Sequence, residues 1–347
     1  MKNTSVLPEQ LAQYDDEKLA EARQKVAGLS ASRLREKDNP YVVTLPNGRQ
    51  TTYHFFTPPK GYTDFPAEET LVHFQPIANG MKPQAMALVH ALMALTGQNV
   101  LFVPQNNYAL TRPEKQRMRD DGDFSPLAQQ RVKTLEYAAK RGHVALQSLR
   151  LAGFSFGATD AAATTQALAK SGAGMVDALV VAEPANVTDR TTKELLHDFN
   201  ETGTKQFLAS VAMSQFPALT ELYGLKEDGT GASRYLYKDL AKFPYDFVRH
   251  GNFPPALGLR HATLASQVVD GLGAMRPDAT LVLHKDLDSS LAPLGDYEFT
   301  ADAIKEQALS RGVHVVDIRT STPERAGHAI GDNPWYWATM ARIALAQ

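Results

Sequence analysis

A short apolar run, Leu149-Arg150-Leu151-Ala152, leads into Gly153-Phe154-Ser155-Phe156-Gly157 and then, without a break, into the alanine-rich stretch Ala158 to Ser171, which Gly172 follows. Few local patterns constrain a chain so tightly. The order predicts a strand, a sharp turn and a helix, with Asp160 in the first helical turn and Gly172 as its stop. A turn this tight forces the serine into a strained backbone conformation that lifts its hydroxyl clear of the sheet edge, and the glycines keep side chains out of the bend. The helix aims its first amides and the positive end of its dipole at the same point, where they can stabilise anionic charge.

The pentapeptide alone is common, so its surroundings carry the inference. From His73 onward the pattern reads strand, helix, strand, helix. Thr70 to Phe74 and Asn99 to Pro104 are strands, Gln84 to Leu95 and Pro126 to Arg141 are helices, and Gln105 to Asp123 reads as a polar loop. Val176 to Ala182 follows as a buried strand, and the alternation resumes with strand Ala279 to His284, helix Asp302 to Ser310, strand Val313 to Ile318 and a last helix from about Pro334. Such alternation predicts an α/β fold with a doubly wound, mostly parallel sheet. Ahead of it, Tyr41 to Leu45 and Arg49 to Phe56 flank Pro46-Asn47-Gly48 as an antiparallel hairpin. Pro8 to Lys37 reads as a peripheral amphipathic helical segment.

Between Asp189 and Leu272 the alternation stops and aromatics gather, among them Phe199, Phe216, Tyr223, Tyr235 and Phe247. This stretch reads as an inserted cap, whose aromatics either face an acyl chain or form a small helical core. The expected organisation is an N-terminal helical segment over 1–38, a core over 39–188 and 273–347, and a cap over 189–272.

Composition narrows the chemistry. The 347 residues carry a formal net charge of −2 and no cysteine. Disulfides, thiolate metal sites and a cysteine nucleophile are therefore excluded. Near neutrality gives no electrostatic footprint for nucleic acid. No run is long enough to span a bilayer and the first residues lead into a charged segment, so a cytoplasmic protein is the default expectation. Asp120-Asp121-Gly122-Asp123 lacks the spacing of a calcium loop and reads as a solvated acidic turn.

A serine hydroxyl needs a general base, and the base needs an orienting acid. In a doubly wound sheet both should follow the last strands, at their carboxyl ends. His328, in Gly327-His328 ahead of the terminal helix, is the candidate base. Asp288, in Lys285-Asp286-Leu287-Asp288, is the favoured acid, with Asp286 and Glu183 as alternatives. His73, His284 and His314 lie in strand patterns and read as ordinary core or surface histidines.

Taken together, the Gly-x-Ser-x-Gly turn at Ser155, Asp288 after the Leu281-Val282-Leu283-His284 strand and Gly327-His328 before the last helix resemble the α/β-hydrolase superfamily from about Tyr41 onward, including its Ser, Asp, His chain order. The resemblance implies a serine hydrolase with a catalytic triad and no metal or organic cofactor, acting on a small acyl or ester substrate, and the aromatic insertion leans that substrate towards apolar character. The alternatives are a catalytically silent binding protein on the same fold, or an acyltransferase or peptidase using the same triad. Where many members carry His-Gly after the third strand, this chain has His73-Phe74-Gln75-Pro76-Ile77-Ala78. Pro76 has no amide hydrogen to donate. The oxyanion donors implied are Phe156 N–H with Ile77 or Ala78.

Overall fold

The computed structural model describes residues 4–6, 16–35, 39–63, 68–76, 83–105, 107–201, 216–225, 233, 234, 236, 238, 251–287, 289, 291–320 and 334–345. Its strands are β1 (Thr4–Val6), β2 (Tyr41–Thr44), β3 (Gln50–Phe56), β4 (Thr70–Phe74), β5 (Asn99–Val103), β6 (Leu149–Phe154), β7 (Val176–Ala182), β8 (Met275–Asp286) and β9 (His314–Thr320). They form one sheet in the order β1-β9-β8-β7-β6-β4-β5-β3-β2. Every pairing from β1 across to β5 is parallel, and the β2–β3 hairpin adds two antiparallel strands at the far edge.

The described helices are α1 (Asp16–Val26), α2 (Pro83–Thr96), α3 (Arg112–Asp121), α4 (Ser125–Lys140), α5 (Phe156–Ser171), α6 (Thr192–Glu201), α7 (Pro217–Tyr223), α8 (Phe253–Gly258), α9 (Leu264–Gly271), α10 (Leu294–Ser310) and α11 (Pro334–Leu345). Alternation along each strand splits the core between the two faces of the sheet. On one face, Leu71, Phe102, Ala152, Phe154, Val180, Val282 and Ile318 pack with residues of α1, α2 and α11. On the other, Val72, Leu101, Leu151, Leu179, Val181 and Leu281 pack with residues of α4, α5, α9 and α10. The helix after β4 thus lies on one face and the helix after β6 on the opposite one, although β4 and β6 are neighbours. That reversal opens a crevice at the carboxyl ends of these two strands, where doubly wound sheets bind ligands.

Four differences from the sequence expectations have physical causes. The expected loop Gln105 to Asp123 contains helix α3, started by a capping box in which Thr111 Oγ1 accepts from Glu114 N–H and Glu114 Oε2 accepts from Thr111 N–H. Gly122, at φ 65°, ends it, and Asp123 accepts from Ser125 N–H at the start of α4. The acidic turn is therefore a helix junction. Second, the N-terminal segment is not merely peripheral, since Ala22, Val26 and Leu34 are buried in the core against α2. Third, β1 precedes the hairpin and extends the sheet beside β9. Fourth, α5 begins at Phe156, which moves Asp160 out of the first turn.

Asp160 is fully buried beside Arg131 of α4. Arg131 Nε donates to Asp160 Oδ2 over 2.8 Å, Gln105 Nε2 donates to the same oxygen over 2.8 Å, and Arg131 Nη2 donates to Gln105 Oε1 over 3.0 Å. This ring ties the loop after β5 to α4 and α5. Burial pushes the Asp160 carboxyl up against the opposing pull of the guanidinium. Removing one partner of such a pair strands a desolvated charge. Arg131→Met should therefore cost about 3–5 kcal/mol in urea unfolding, and adding Asp160→Asn should recover part of the loss; an Arg131→Met protein as stable as wild type would contradict this.

Candidate active site

Ser155 stands between β6 and α5 with φ 56° and ψ −124°, one of three described non-glycine residues at positive φ. Its N–H donates to Ala182 O of β7 over 2.9 Å, and its carbonyl accepts from Ala158 N–H over 2.9 Å. The serine is thus held at the sheet end by one bond to the neighbouring strand and one to its own helix. Phe156 follows it and is fully buried, packing edge-to-face on Phe124. As the first residue of α5 it places its N–H where no earlier helical turn can supply an acceptor.

The glycines are demanded by backbone crowding. A Cβ on Gly153 would lie 1.9 Å from Gly157 O, and one on Gly157 would lie 2.1 Å from Phe74 O at the end of β4. Both obstacles are main-chain atoms, which cannot swing aside like a flexible side chain. The turn, the helix start and the end of β4 are therefore in mutual backbone contact at the crevice.

Of the other residues expected here, Asp286 and Glu183 are described, while Asp288, His328, Ile77 and Ala78 lie outside the described residues. Asp286 ends β8 and is fully buried. Glu183, just past β7, is also buried and holds φ 48°. Its N–H donates to His284 O over 3.0 Å, and its Oε1 accepts from Asp286 N–H. Lys285 Nζ lies 3.7 Å from Glu183 Oε2 and donates to Asp286 O over 2.7 Å and to Ser289 O over 3.1 Å. Glu183 and Lys285 thus grip both polar groups of the Asp286 main chain. Burial pushes the Lys285 ammonium down, and the Glu183 carboxylate opposes that shift.

Sequence reasoning missed Lys285, although a lysine closing an apolar strand run is itself a signal that a buried partner waits for it. Trp335-Tyr336-Trp337 at the start of the last helix reads from sequence either as a pocket wall or as packing of that helix on the sheet, and the partners of its last two residues were not foreseen. Trp337 Nε1 donates to His73 Nδ1 over 3.2 Å, and the indole also packs against Phe154, the residue before Ser155. Tyr336 OH lies 2.7 Å from His284 Nε2. His73 and His284 are buried in the core and His314 is exposed at the surface, within the expectation of ordinary core or surface histidines. Burial pushes His73 down to about 3 and His284 down to about 4. Among the described residues no cluster of His, Cys, Asp or Glu could hold a metal ion, and no helix is long and apolar enough to cross a membrane.

No protein-family model and no curated protein matches the sequence. Solved structures do. A hyperthermophilic esterase from the archaeon Pyrobaculum calidifontis superposes with a TM-score of 0.50 over 97% of this chain and 96% of its own, at 14% identity. The chain has the α/β-hydrolase fold. Lesser likenesses are to a thioesterase domain from the curacin biosynthetic pathway (TM-score 0.48, 14% identity, 89% of this chain and 100% of that one) and to fungal esterase structure from Rhizomucor miehei (0.46, 16%, 99% and 97%). In this α/β-hydrolase frame β6 is the strand that enters the serine turn, and the chain leaves β8 and β9 toward the same end of the sheet.

Two measurements follow. Gly157→Ala should cost on the order of 4 kcal/mol or abolish folding, read by circular dichroism and urea unfolding; a native-like, equally stable variant would refute the close approach to Phe74 O. His73 and His284 are held neutral in the native state, so the unfolded chain binds more protons than the native one below about pH 6.5. Their contribution is fully present above that pH and is lost as pH falls toward the native values. Between pH 6.5 and 4.5 wild type should lose about 2 kcal/mol more than His73→Gln, and parallel pH profiles of the urea midpoint for the two proteins would show the expectation to be wrong.

Proposed function

We propose that this α/β-hydrolase-fold protein is a serine hydrolase that cleaves a carboxylic ester or related acyl substrate through an acyl-enzyme on Ser155. The observation that carries the reading is the strained φ of Ser155 at the crevice between β4 and β6, directly ahead of the α5 amides. Strain of this kind persists only where the surrounding structure enforces it, and it clusters at functional sites.

In this reading Ser155 Oγ attacks the substrate carbonyl carbon while His328 takes the hydroxyl proton. The developing oxyanion accepts from Phe156 N–H and from the N–H of Ile77 or Ala78. Collapse of the tetrahedral intermediate re-forms the carbonyl and breaks the bond from the acyl carbon to the leaving-group oxygen, and His328 passes its proton to the departing alkoxide. Water, deprotonated by His328, then attacks the acyl-enzyme, the bond from the acyl carbon to Ser155 Oγ breaks, and His328 returns the proton to Oγ as the acid leaves.

Position in the chain supports His328. It falls between β9, which ends beside Asp286, and α11, whose Trp337 packs against Phe154. Asp288 is assigned the orienting role because it follows β8 in the chain order of this fold. Glu183 is the second candidate, on the strength of its own positive φ and burial at the end of β7, and Asp286 is the third.

The cap is assigned to 189–272, with 1–38 as an N-terminal segment and 39–188 with 273–347 as the core. Arg190 supports an anchored cap base, since it donates to Asp198 of α6, to Ala185 O and to Leu291 O. At the far end of the cap, Asn186 links Thr159 of α5 to Thr263, just ahead of α9, and to Gln267 within it. Phe216 and Tyr223 are buried and belong with Trp335 to the α2–α11 core, which favours a packed helical cap for that part of the aromatic stretch. The substrate assigned is a small acyl or ester molecule of apolar character.

A fluorophosphonate probe tests the nucleophile. Folded wild-type protein should be labelled and Ser155→Ala should not; absence of wild-type labelling would favour the silent binding protein instead. Among Asp288→Asn, Asp286→Asn and Glu183→Gln, the first should lose about 10³–10⁴-fold in kcat on a short-chain aryl ester, the range for a misoriented base. A near wild-type Asp288→Asn beside a collapsed companion would transfer the role to that companion.

A further inference from the structure

The chain that carries His328 leaves the sheet at Thr320, the last residue of β9, and returns at Pro334, the first of α11. Its two ends are bonded to each other. Thr320 Oγ1 lies 2.5 Å from Tyr336 OH in the first turn of α11. Both hydroxyls also reach one nitrogen, His284 Nε2, at 2.7 Å from Tyr336 and 3.0 Å from Thr320. Three polar atoms from β8, β9 and α11 thus form a closed triangle, and Tyr336 is the vertex that joins the helix to the two strands.

The triangle stands beside the acid strand. His284 precedes Asp286 by two residues on the same face of β8, and Asp286 is the register partner of Thr320. Among the described residues, Glu183 and Asp286 are charged groups acting on Tyr336, and Glu183, Lys285 and Asp317 are charged groups acting on His284. Both rings are buried, the imidazole neutral and the phenol pushed well above its ordinary value. The triangle therefore keeps its protons across the neutral range. The packing of Trp337 on His73 and Phe154 holds the next part of α11 against β4 and β6.

We propose that Tyr336 is a positioning residue that fixes the end of β9 and the start of α11, between which His328 falls in the chain, to each other and to β8, and that the Ser155 reaction depends on this tie. The inference rests on the serine hydrolase reading. Small displacements of the elements that carry a catalytic group cost large factors in rate. Tyr336 acts through His328 and touches no reacting atom.

The test uses the full chain and three single variants. Tyr336→Phe removes only the vertex hydroxyl and leaves His284 and Thr320 within bonding distance of each other. Thr320→Val removes a second vertex, and Tyr53→Phe is the control, because it deletes a comparable phenol bond, to His143 Nδ1 at 3.0 Å, from strand β3 near the opposite edge of the sheet. Expected for Tyr336→Phe is a fall of about 10-fold in kcat on a short-chain aryl ester and in the fluorophosphonate labelling rate, with KM little changed and the pH profile of labelling displaced. Thr320→Val should fall in the same sense, the double variant should lose less than the product of the two single losses, and Tyr53→Phe should match wild type. Labelling of Tyr336→Phe at the wild-type rate and pH profile, or an equal loss in Tyr53→Phe, overturns the inference; should Tyr336→Phe fail to fold, the same comparison on Thr320→Val decides. Ser155-dependent labelling that Tyr336→Phe leaves unchanged sinks this inference alone, whereas wild-type protein that resists the probe sinks the hydrolase reading itself.

Discussion

Three backbone segments meet without room for a single extra carbon where β4 ends, β6 turns and α5 begins. Gly153 abuts the Gly157 carbonyl, and Gly157 abuts the Phe74 carbonyl. Much of the surrounding structure follows from this crowding. It fixes the angle at which α5 leaves the sheet, and the small side chains Ala158, Ala161 and Ala162 then let the helix lie close on Leu151 and its neighbours. It also leaves Ser155 no relaxed backbone conformation, because its N–H is already committed to β7 and its carbonyl to the helix. The strain is local, but the packing that maintains it extends over both faces of the sheet.

Polar groups gather in small closed sets around the carboxyl ends of the strands. Arg131, Asp160 and Gln105 form one behind α5, Glu183, Lys285 and the Asp286 backbone a second after β7 and β8, and His284, Thr320 and Tyr336 a third after β9. Each lies among apolar neighbours, where an unmatched charge or donor is costly and a matched one is strong. Placing them at one end leaves the middle of the sheet to aliphatic packing and concentrates directional bonds where geometry has to be held.

The fold was legible because its signals are local and repeated. Period-2 strands, alanine-rich and amphipathic helices and the Asn47-Gly48 hairpin all lie within short windows of sequence. The capping box at Thr111 and Glu114 was equally local and could have revealed α3 in the supposed loop. The serine turn was legible for the same reason, since its glycines report a steric demand that no other residue meets. What could not be read is long-range. The bonds from Glu183 to Asp286, from Trp337 to His73 and from Tyr336 to His284 join residues far apart in sequence, and nothing near Tyr336 distinguishes a phenol that closes a segment from one that fills space. Asp160 shows the converse error. Near a helix start an acid suggests a dipole partner in solvent, whereas here a buried arginine on the neighbouring helix claims it.

The sheet's outermost parallel pair joins Thr4 to Val316 and Val6 to Ile318. During synthesis on the ribosome, β1 emerges long before β9 and must wait, unpaired, until His314–Thr320 have been made. The Ser155 corner has no such delay, because β4, β6, α5 and β7 are all translated by about residue 182. The interior of the sheet can therefore assemble on the nascent chain, while the edge that β1 covers can close only after β9 has emerged. Such pairings of high sequence separation form late and leave strand edges open to wrong partners in the interval. Vectorial growth thus lets β1 join the sheet only after β9 has been made.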